Sequence, residues 1–299
     1  MSQAVIDPKD KTIVVSGITG KQGGATAKAL LDKGFKVRGI TRDVNSSRAK
    51  AWAEKGAELT TADLNDQASL ERAFEGAYGV FLITDHGESG AVEKEVKKGK
   101  ATADAAVAAK VQHLVFTSIG NAKAAKFPEF HNKYDIEQII AKTAGLPYWT
   151  VIRPANFFEN MSKDSSFAPK DGVVQGLNSA KVRTQAVGCR DIGLVAAEAF
   201  LHPEEYHKDV IELSAEELSN EEVAQVLSKV TGQPWVYKQM FIFKIGILNL
   251  IGYKYQKMAN FWAKPGYCGD IKKMRERYPW LQTWEEYFQE EYGKQNNQS

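Results

Sequence analysis

The chain has 299 residues, 43% of them hydrophobic and 25% charged, which is the balance of an ordinary globular protein with ample material for a core. A formal net charge of +2 gives no general pull toward nucleic acid, so none is expected as a partner. The two cysteines, Cys189 and Cys268, lie outside any C-x-x-C pair and the five histidines show no ligand spacing, so neither a disulfide framework nor a metal site is expected.

Residues 1–10 hold no basic start followed by an apolar run, so no secretory leader is expected and the cytoplasm, or nucleocytoplasm, is the expected location. A β-branched strand at 11–17 then runs into Gly17-Ile18-Thr19-Gly20-Lys21-Gln22-Gly23-Gly24 and a helix at 22–33. Glycines spaced in this way between a strand and a helix let the main chain approach a diphosphate. Gly17 permits the turn, Gly20 removes a side chain where phosphates come close, and Gly23 or Gly24 lets the helix pack on the strand. The helix N-terminus adds free N–H groups and a positive dipole end. The loop from Gly17 to Gly23, with Ile18, Thr19, Gly20, Lys21 and Gln22, is the candidate dinucleotide cradle.

Further strands at 35–41, 57–61, 78–84, 113–118 and 148–153 alternate with helices at 46–55, 67–75, 92–110 and 133–144. The strands show little polar alternation, as expected when both faces are covered, and crossover helices of this length require parallel pairing. The pattern predicts an α/β protein with a Rossmann-type doubly wound parallel sheet. The second strand ends Thr41-Arg42-Asp43. An NAD binder places an acid at this strand end; here Thr41 stands there, and the planar fork of Arg42 suits the extra phosphate of NADP. Ser46 and Arg48, at the next helix start, can contribute. NADP is therefore the expected cofactor, with NADPH preferred over NADH. A solvated Arg42 is the alternative, and a one-residue shift would make Asp43 the ribose acid. Asp63-Leu64 closes the third strand beside the adenine position, where Asp63 accepts from the amino group, caps the next helix, or does both.

After Pro154 the pattern loosens. Residues 156–187 hold turns; then follow a helix at 191–200, a strand at 210–213, and a helix at 220–231 with Ser219 or Asn220 as N-cap. Residues 235–293 are aromatic-rich and expected to be helical. Trp235, Tyr237, Phe241, Phe243, Phe261, Trp262 and Tyr267 either line a pocket or form that lobe's own core. The most apolar stretch, 240–253, contains Lys244 and is too short to span a bilayer; it reads as core, lid or dimer face. The expected division is a Rossmann domain at 1–155, completed by about 188–215, and a smaller, mostly helical lobe from 156–187 and 216–299.

These motifs resemble the NmrA-like branch of the atypical short-chain dehydrogenase/reductases, and within it the NmrA-like redox-sensor proteins that distinguish NADPH from NADP. The resemblance is carried by the glycine loop, Thr41-Arg42, Gly76-Ala77-Tyr78-Gly79-Val80-Phe81, Glu95-Val96-Lys97-Lys98-Gly99-Lys100, Arg153-Pro154-Ala155-Asn156-Phe157-Phe158-Glu159-Asn160 and the closing Tyr278-Pro279-Trp280 to Trp284-Glu285-Glu286-Tyr287. It implies further cofactor contacts at Thr84, Asp85 and His86, at Lys97, at Lys133 as the nicotinamide-ribose lysine, and at Asn156, Phe157, Phe158 and Glu159. The residues themselves leave alternatives open. Glu93, Lys94, Glu95, Lys98 and Lys100 surround Lys97 as on a wet helix face, and one of Phe157 and Phe158 reads as core.

The orthodox reductase of that superfamily carries Tyr-x-x-x-Lys on a helix, where the lysine lowers the tyrosine's pKa. Here Glu129 stands four before Lys133, and Gln138 four after Tyr134, so the dyad is missing. Ser118 stands near the usual catalytic serine with no acid to assist it. Lys133 is the candidate for chemistry, against holding ribose; His131, beside Pro128, is either a lone proton donor or a solvated loop histidine. Two functions compete: a redox-responsive regulator that binds NADPH and NADP and contacts a protein partner or a second copy, and an NADPH-dependent reductase of a small carbonyl, quinone or aromatic substrate using Lys133 or His131.

Overall fold

In the computed structural model, which describes residues 5–85, 92–240 and 249–293, the apolar runs of the first half become buried strands. β1 (Thr12–Ser16), β2 (Lys36–Thr41), β3 (Glu58–Thr61), β4 (Gly79–Ile83), β5 (His113–Thr117) and β6 (Tyr148–Pro154) alternate with α1 (Lys21–Asp32), α2 (Ser47–Ala53), α3 (Gln67–Phe74), α4 (Val92–Ala108) and α5 (Pro128–Lys142). Neighbouring strands from β3 through β6 pair in parallel. Val14, Leu82, Leu114, Phe116 and Val151 have no exposure and meet Leu70, Phe74, Ala103, Ile136 and Ile140 from the covering helices. Each Val, Leu, Ile or Phe side chain among them contributes about 1.5–3 kcal/mol on burial.

After β6 come β7 (Asn156–Phe157), β8 (Val173–Gly176), β9 (Arg183–Val187), α6 (Cys189–Leu201), α7 (Pro203–Tyr206), β10 (Val210–Leu213), β11 (Glu216–Ser219), α8 (Asn220–Thr231) and β12 (Val236–Gln239). The chain then adds α9 (Asn249–Ala263), α10 (Ile271–Arg277) and α11 (Trp284–Tyr292). The main sheet has seven strands in the order β3-β2-β1-β4-β5-β6-β10. The strand order reverses between β1 and β4, the switch point at which ligands of such sheets bind.

The chain divides into two compact units. One runs to Arg153 and takes in Cys189–Ile211; the other comprises Pro154–Gly188 and the chain from Glu212 onward. In the first, α6 packs on α1 so closely that a Cβ on Gly193 would come within 2.6 Å of the Ala25 carbonyl. In the second, β9 pairs with β7 in parallel and with β11 in antiparallel fashion, and β12 pairs in parallel with β8. The stretch expected to be helical from residue 235 thus begins with a strand. Val-Tyr-Lys-Gln is short and mostly exposed, and only its long-range partner makes it one. Of the two N-caps weighed for α8 the cap is Ser219, in a capping box: its side chain accepts from the Glu222 amide while the Glu222 carboxylate accepts from the Ser219 amide. Phe241 and Phe243, with most of the 240–253 stretch, lie outside the described residues. Phe261 is buried, and Trp262 Nε1 donates to the Tyr267 hydroxyl at 3.0 Å. Among the described residues no helix is long and apolar enough to cross a membrane, and no cluster of metal-ligating side chains occurs.

His113 opens β5 inside the first unit with no exposure. Thr150 Oγ1 donates to the Tyr206 carbonyl, so it accepts from His113 Nε2 at 2.8 Å, which places a proton on Nε2. Burial, and secondarily His207, push its pKa down to about 3. An unfolded histidine takes up a proton near pH 6.5 that the fold refuses, so stability falls as pH drops through that value. The expected loss is about 2 kcal/mol between pH 8 and pH 5. Urea unfolding of the wild type and of His113→Gln across that range checks it: the variant should lose that part of the slope.

Candidate dinucleotide site

The carboxyl ends of β1, β2 and β4 carry the glycine loop and the residues facing it in sequence. Gly17 leaves β1 at φ +64°, a left-handed turn that favours glycine. Gly20 N donates to the Gly17 carbonyl at 2.9 Å, and Gly20 caps α1 in extended conformation with no side chain on the first amides of the helix. A Cβ on Gly23 would strike the Gly17 carbonyl and stand 2.8 Å from that of Ser16, whereas one on Gly24 would meet the Trp52 ring at 3.0 Å. Gly23 is therefore the glycine that lets α1 approach β1. A main-chain turn stripped of side chains and opening on a helix N-terminus fits a pyrophosphate. Ile18 is fully buried, and its Cδ1 would lie 2.5 Å from a Cβ on Gly39 of β2, so its side chain is core and only its main chain belongs to the loop. Thr19 is half-buried and Lys21 exposed. Gln22 Nε2 donates to Thr117 Oγ1 at 2.6 Å and ties the start of α1 to the end of β5.

At the end of β2, Arg42 is exposed and makes no hydrogen bond or ion pair with the described residues. Arg48 stands likewise at the start of α2. Asp43 accepts from the Asn45 amide at 2.8 Å, and Ser46 caps α2, donating to the Asp43 carbonyl at 3.0 Å and accepting from the Ala49 amide. Asp63, after β3, is exposed and accepts from the amide and side chain of Asn65; the cap of α3 is Asp66, not Asp63. Leu64 packs against the core.

The end of β4 differs most from the sequence reading. The run read as a wet helix face presents a buried flank: Glu95 has no exposure, Lys98 is 8% exposed, and Gly99 takes Ile136 of α5 so closely that a Cβ would lie 2.6 Å from it. Lys97, between them, faces solvent. Thr84 Oγ1 donates to Glu95 Oε1 at 2.7 Å. Lys133 Nζ donates to the Thr84 carbonyl at 2.7 Å, to Thr84 Oγ1 at 2.9 Å and to Glu95 Oε1 at 2.5 Å. Asn132 Nδ2 donates to Glu95 Oε2, and Lys98 Nζ holds Asp85 Oδ1 at 2.5 Å. Burial lowers the pKa of Lys133 below the ordinary lysine value, and Glu95 pulls it back up. His86 lies outside the described residues. Glu95 was legible only as a position: Glu95, Gly99, Thr102, Ala103 and Ala106 share one helical face, and four of the five are small or hydroxylic.

Ser118, which the sequence left without an acid, donates to buried Glu137, whose carboxylate also receives Arg153 Nε at 2.9 Å and Nη2 at 2.6 Å. The Arg153 guanidinium lies over the Tyr134 ring at 5.9 Å. His131 is in the first turn of α5 rather than in a loop, because Pro128 starts that helix five residues earlier than expected. Its Nδ1 bonds the Ala125 carbonyl at 3.2 Å and Nε2 lies 4.0 Å from Asp135.

Asn156, Phe157, Phe158 and Glu159 belong to the other unit. Asn156 Oδ1 accepts from Asn160 at 2.8 Å, and Phe157 is half-buried. Phe158 is enclosed, its ring 4.4 Å from Trp284 and 5.6 Å from Tyr287, which is the core role weighed for one of the two phenylalanines. The Glu159 carbonyl accepts from Ser162.

A sequence model of the NmrA-like family matches residues 9–288. The chain belongs to the NmrA-like family. The NmrA-like family domain-containing oxidoreductase FrzB of Cladobotryum sp. is 31% identical over 257 residues, covering 76% of this chain and 75% of FrzB. Among solved structures, triphenylmethane reductase of Citrobacter sp. complexed with NADP(H) superposes with a TM-score of 0.78 at 20% identity, covering 93% of this chain and 99% of that one. NmrA itself, a negative transcriptional regulator in complex with NAD, superposes with a TM-score of 0.73 at 20% identity, covering 93% and 94%. The NmrA-like fold thus serves a reductase and a regulator alike.

Proposed function

We propose that the chain binds NADP(H) at the carboxyl ends of β1, β2 and β4, and acts as a redox-responsive regulator without Tyr-x-x-x-Lys chemistry. The glycine cradle carries the binding. Gly17, Gly20 and Gly23 open a side-chain-free turn onto the amides of α1, the geometry that receives a diphosphate. Arg42, exposed and without a partner among the described residues, supplies a fork for the 2′-phosphate, with Arg48 beside it in sequence. Asp43 is the competing ribose acid, and one of its oxygens already closes the turn before α2.

The regulator reading rests on Lys133. Its three protons go to Thr84 and Glu95, and Glu129 stands where the tyrosine of the dyad would be, so no acid is aligned to deliver a proton. The oxidised nicotinamide carries a positive charge that the reduced ring lacks. Fixed charges nearby bind the two forms unequally, and that difference biases two states of the chain. The partner so controlled is a protein or a second copy of the chain.

Arg42→Ala is expected to cost about 1.5–3 kcal/mol of NADP affinity, the range for hydrogen bonds to charged groups, and to leave NAD affinity unchanged. Calorimetric titration with both cofactors checks it; equal losses refute the assignment. The names of FrzB and triphenylmethane reductase favour the second reading, NADPH-dependent reduction of a small carbonyl, quinone or aromatic substrate. A panel of quinones, aldehydes, imines and aryl ethers with NADPH separates the two. Turnover that collapses in Lys133→Ala establishes the reductase; a wide NADPH-to-NADP affinity gap without turnover establishes the regulator.

A further inference from the structure

Glu95 is a fully buried carboxylate that the proposed function leaves without a task. Three donors converge on it: Thr84 Oγ1 and Lys133 Nζ on Oε1, and Asn132 Nδ2 on Oε2. A carboxylate costs several kcal/mol to bury and stays ionised only when paired and hydrogen-bonded. Among the described residues the charged groups around Lys133 are Glu95 and Lys98 on α4 and Asp85 after β4, and the Phe116 ring of β5 stands 5.9 Å from Nζ. Lys98 is itself held by Asp85. On its own helix, Glu137 is taken by Arg153 of β6, and Asp135 is 4.0 Å from His131. Among the described residues Glu95 is therefore the carboxylate that Lys133 touches.

We infer that Glu95 is a positioning residue: its buried carboxylate keeps Lys133 an ammonium ion and fixes it at the carboxyl end of β4, beside the nicotinamide half of the bound coenzyme. The coenzyme's place rests on the proposed function; the Glu95–Lys133 pair does not. An ammonium enclosed by Phe116 and the main chain of β4 favours losing its proton. Lys98 adds to that tendency, and Glu95, with Asp85 farther off, opposes it. Once Glu95 is neutral, Lys133 deprotonates at a lower pH and has fewer protons with which to hold Thr84.

Glutamine fits in place of Glu95. Asn132 Oδ1 is buried without a hydrogen-bond partner, so turning that amide over presents an acceptor to the new Nε2. The experiment uses wild type, E95Q, E95D, K133M and the E95Q/K133M double variant. Lysine Cε resonances are followed in the coenzyme-free chain against pH, with Lys133 assigned by its absence in K133M. NADPH affinity is measured by calorimetry at pH 6 and pH 9. E95Q should lower the Lys133 midpoint by at least one pH unit, about tenfold in proton affinity. Its NADPH affinity should fall about tenfold more than that of wild type between the two pH values, in step with the loss of charge. K133M and the double variant should show no such extra fall. E95D, which keeps the charge, should hold the midpoint nearer wild type. A midpoint unmoved in folded E95Q, or moved equally by E95D, overturns the inference even where coenzyme binds. A wild type that binds no NADPH overturns the proposed function instead, and the Lys133 midpoint then decides the role of Glu95 alone.

Discussion

Gly23→Ala is expected to weaken coenzyme binding at least hundredfold and to lower the unfolding free energy by about 1–3 kcal/mol. The added methyl group would strike the Gly17 carbonyl and crowd that of Ser16, and both obstacles are main chain. Neither can rotate away as a side chain would. Gly17 is fixed at φ +64° by the turn it makes, and α1 cannot recede freely because α6 closes over Ala25 at Gly193. Two effects therefore oppose each other. Alanine favours a helix over glycine by about 1 kcal/mol, while overpacking against backbone costs more and moves the amides that would face a diphosphate. The second should win. Gly24→Ala is the control, since its methyl group meets the edge of the Trp52 ring, which can shift, and nears main chain only at the Ile18 carbonyl, 3.2 Å away. It should leave stability within about 1 kcal/mol of wild type and binding nearly intact. Thermal unfolding and calorimetry on both variants check the pair of expectations. Wild-type affinity in Gly23→Ala would mean that the coenzyme does not use this turn.

The same contrast explains what could be read from residues alone. The glycine loop was legible because a close backbone approach is a local demand that only one residue type meets. The doubly wound parallel sheet followed because helical crossovers of one hand leave few topologies. Charged side chains were misread because composition does not tell a wet face from a buried pair. Glu95 and Lys98 differ from their solvated neighbours Glu93, Lys94 and Lys97 only in phase along α4, and the small residues at Gly99, Thr102, Ala103 and Ala106 were the available sign. The start of α5 was missed although Pro128 marks it, a proline at the first helical position giving up no hydrogen bond. The acid beside Ser118 had no local signal at all. Glu137 is turned inward by Arg153, which reaches it from the end of another strand, and only the assembled sheet brings the two together.

That last pair sets the largest stability effect expected in the chain. Glu137→Ala should cost about 3–5 kcal/mol, because it takes the carboxylate from a guanidinium that is 14% exposed and leaves the buried Ser118 hydroxyl without its acceptor. Ser118→Ala removes one hydrogen bond to a charged acceptor and should cost about 1.5–3 kcal/mol. The difference between the two isolates the ion pair from the hydroxyl. Replacing both ions by apolar side chains, Glu137→Leu with Arg153→Met, should cost less than Glu137→Ala alone, since no uncompensated charge then remains inside. Urea unfolding of Glu137→Leu, Arg153→Met and the double that combines them gives the coupling energy directly. Arg153 also covers the Tyr134 ring, so its loss carries a packing cost that Glu137→Ala does not share. A coupling energy near zero would mean that water reaches the carboxylate. The end of β5 would then owe its order to the apolar contacts of Phe116 and Ile136 rather than to this buried charge pair.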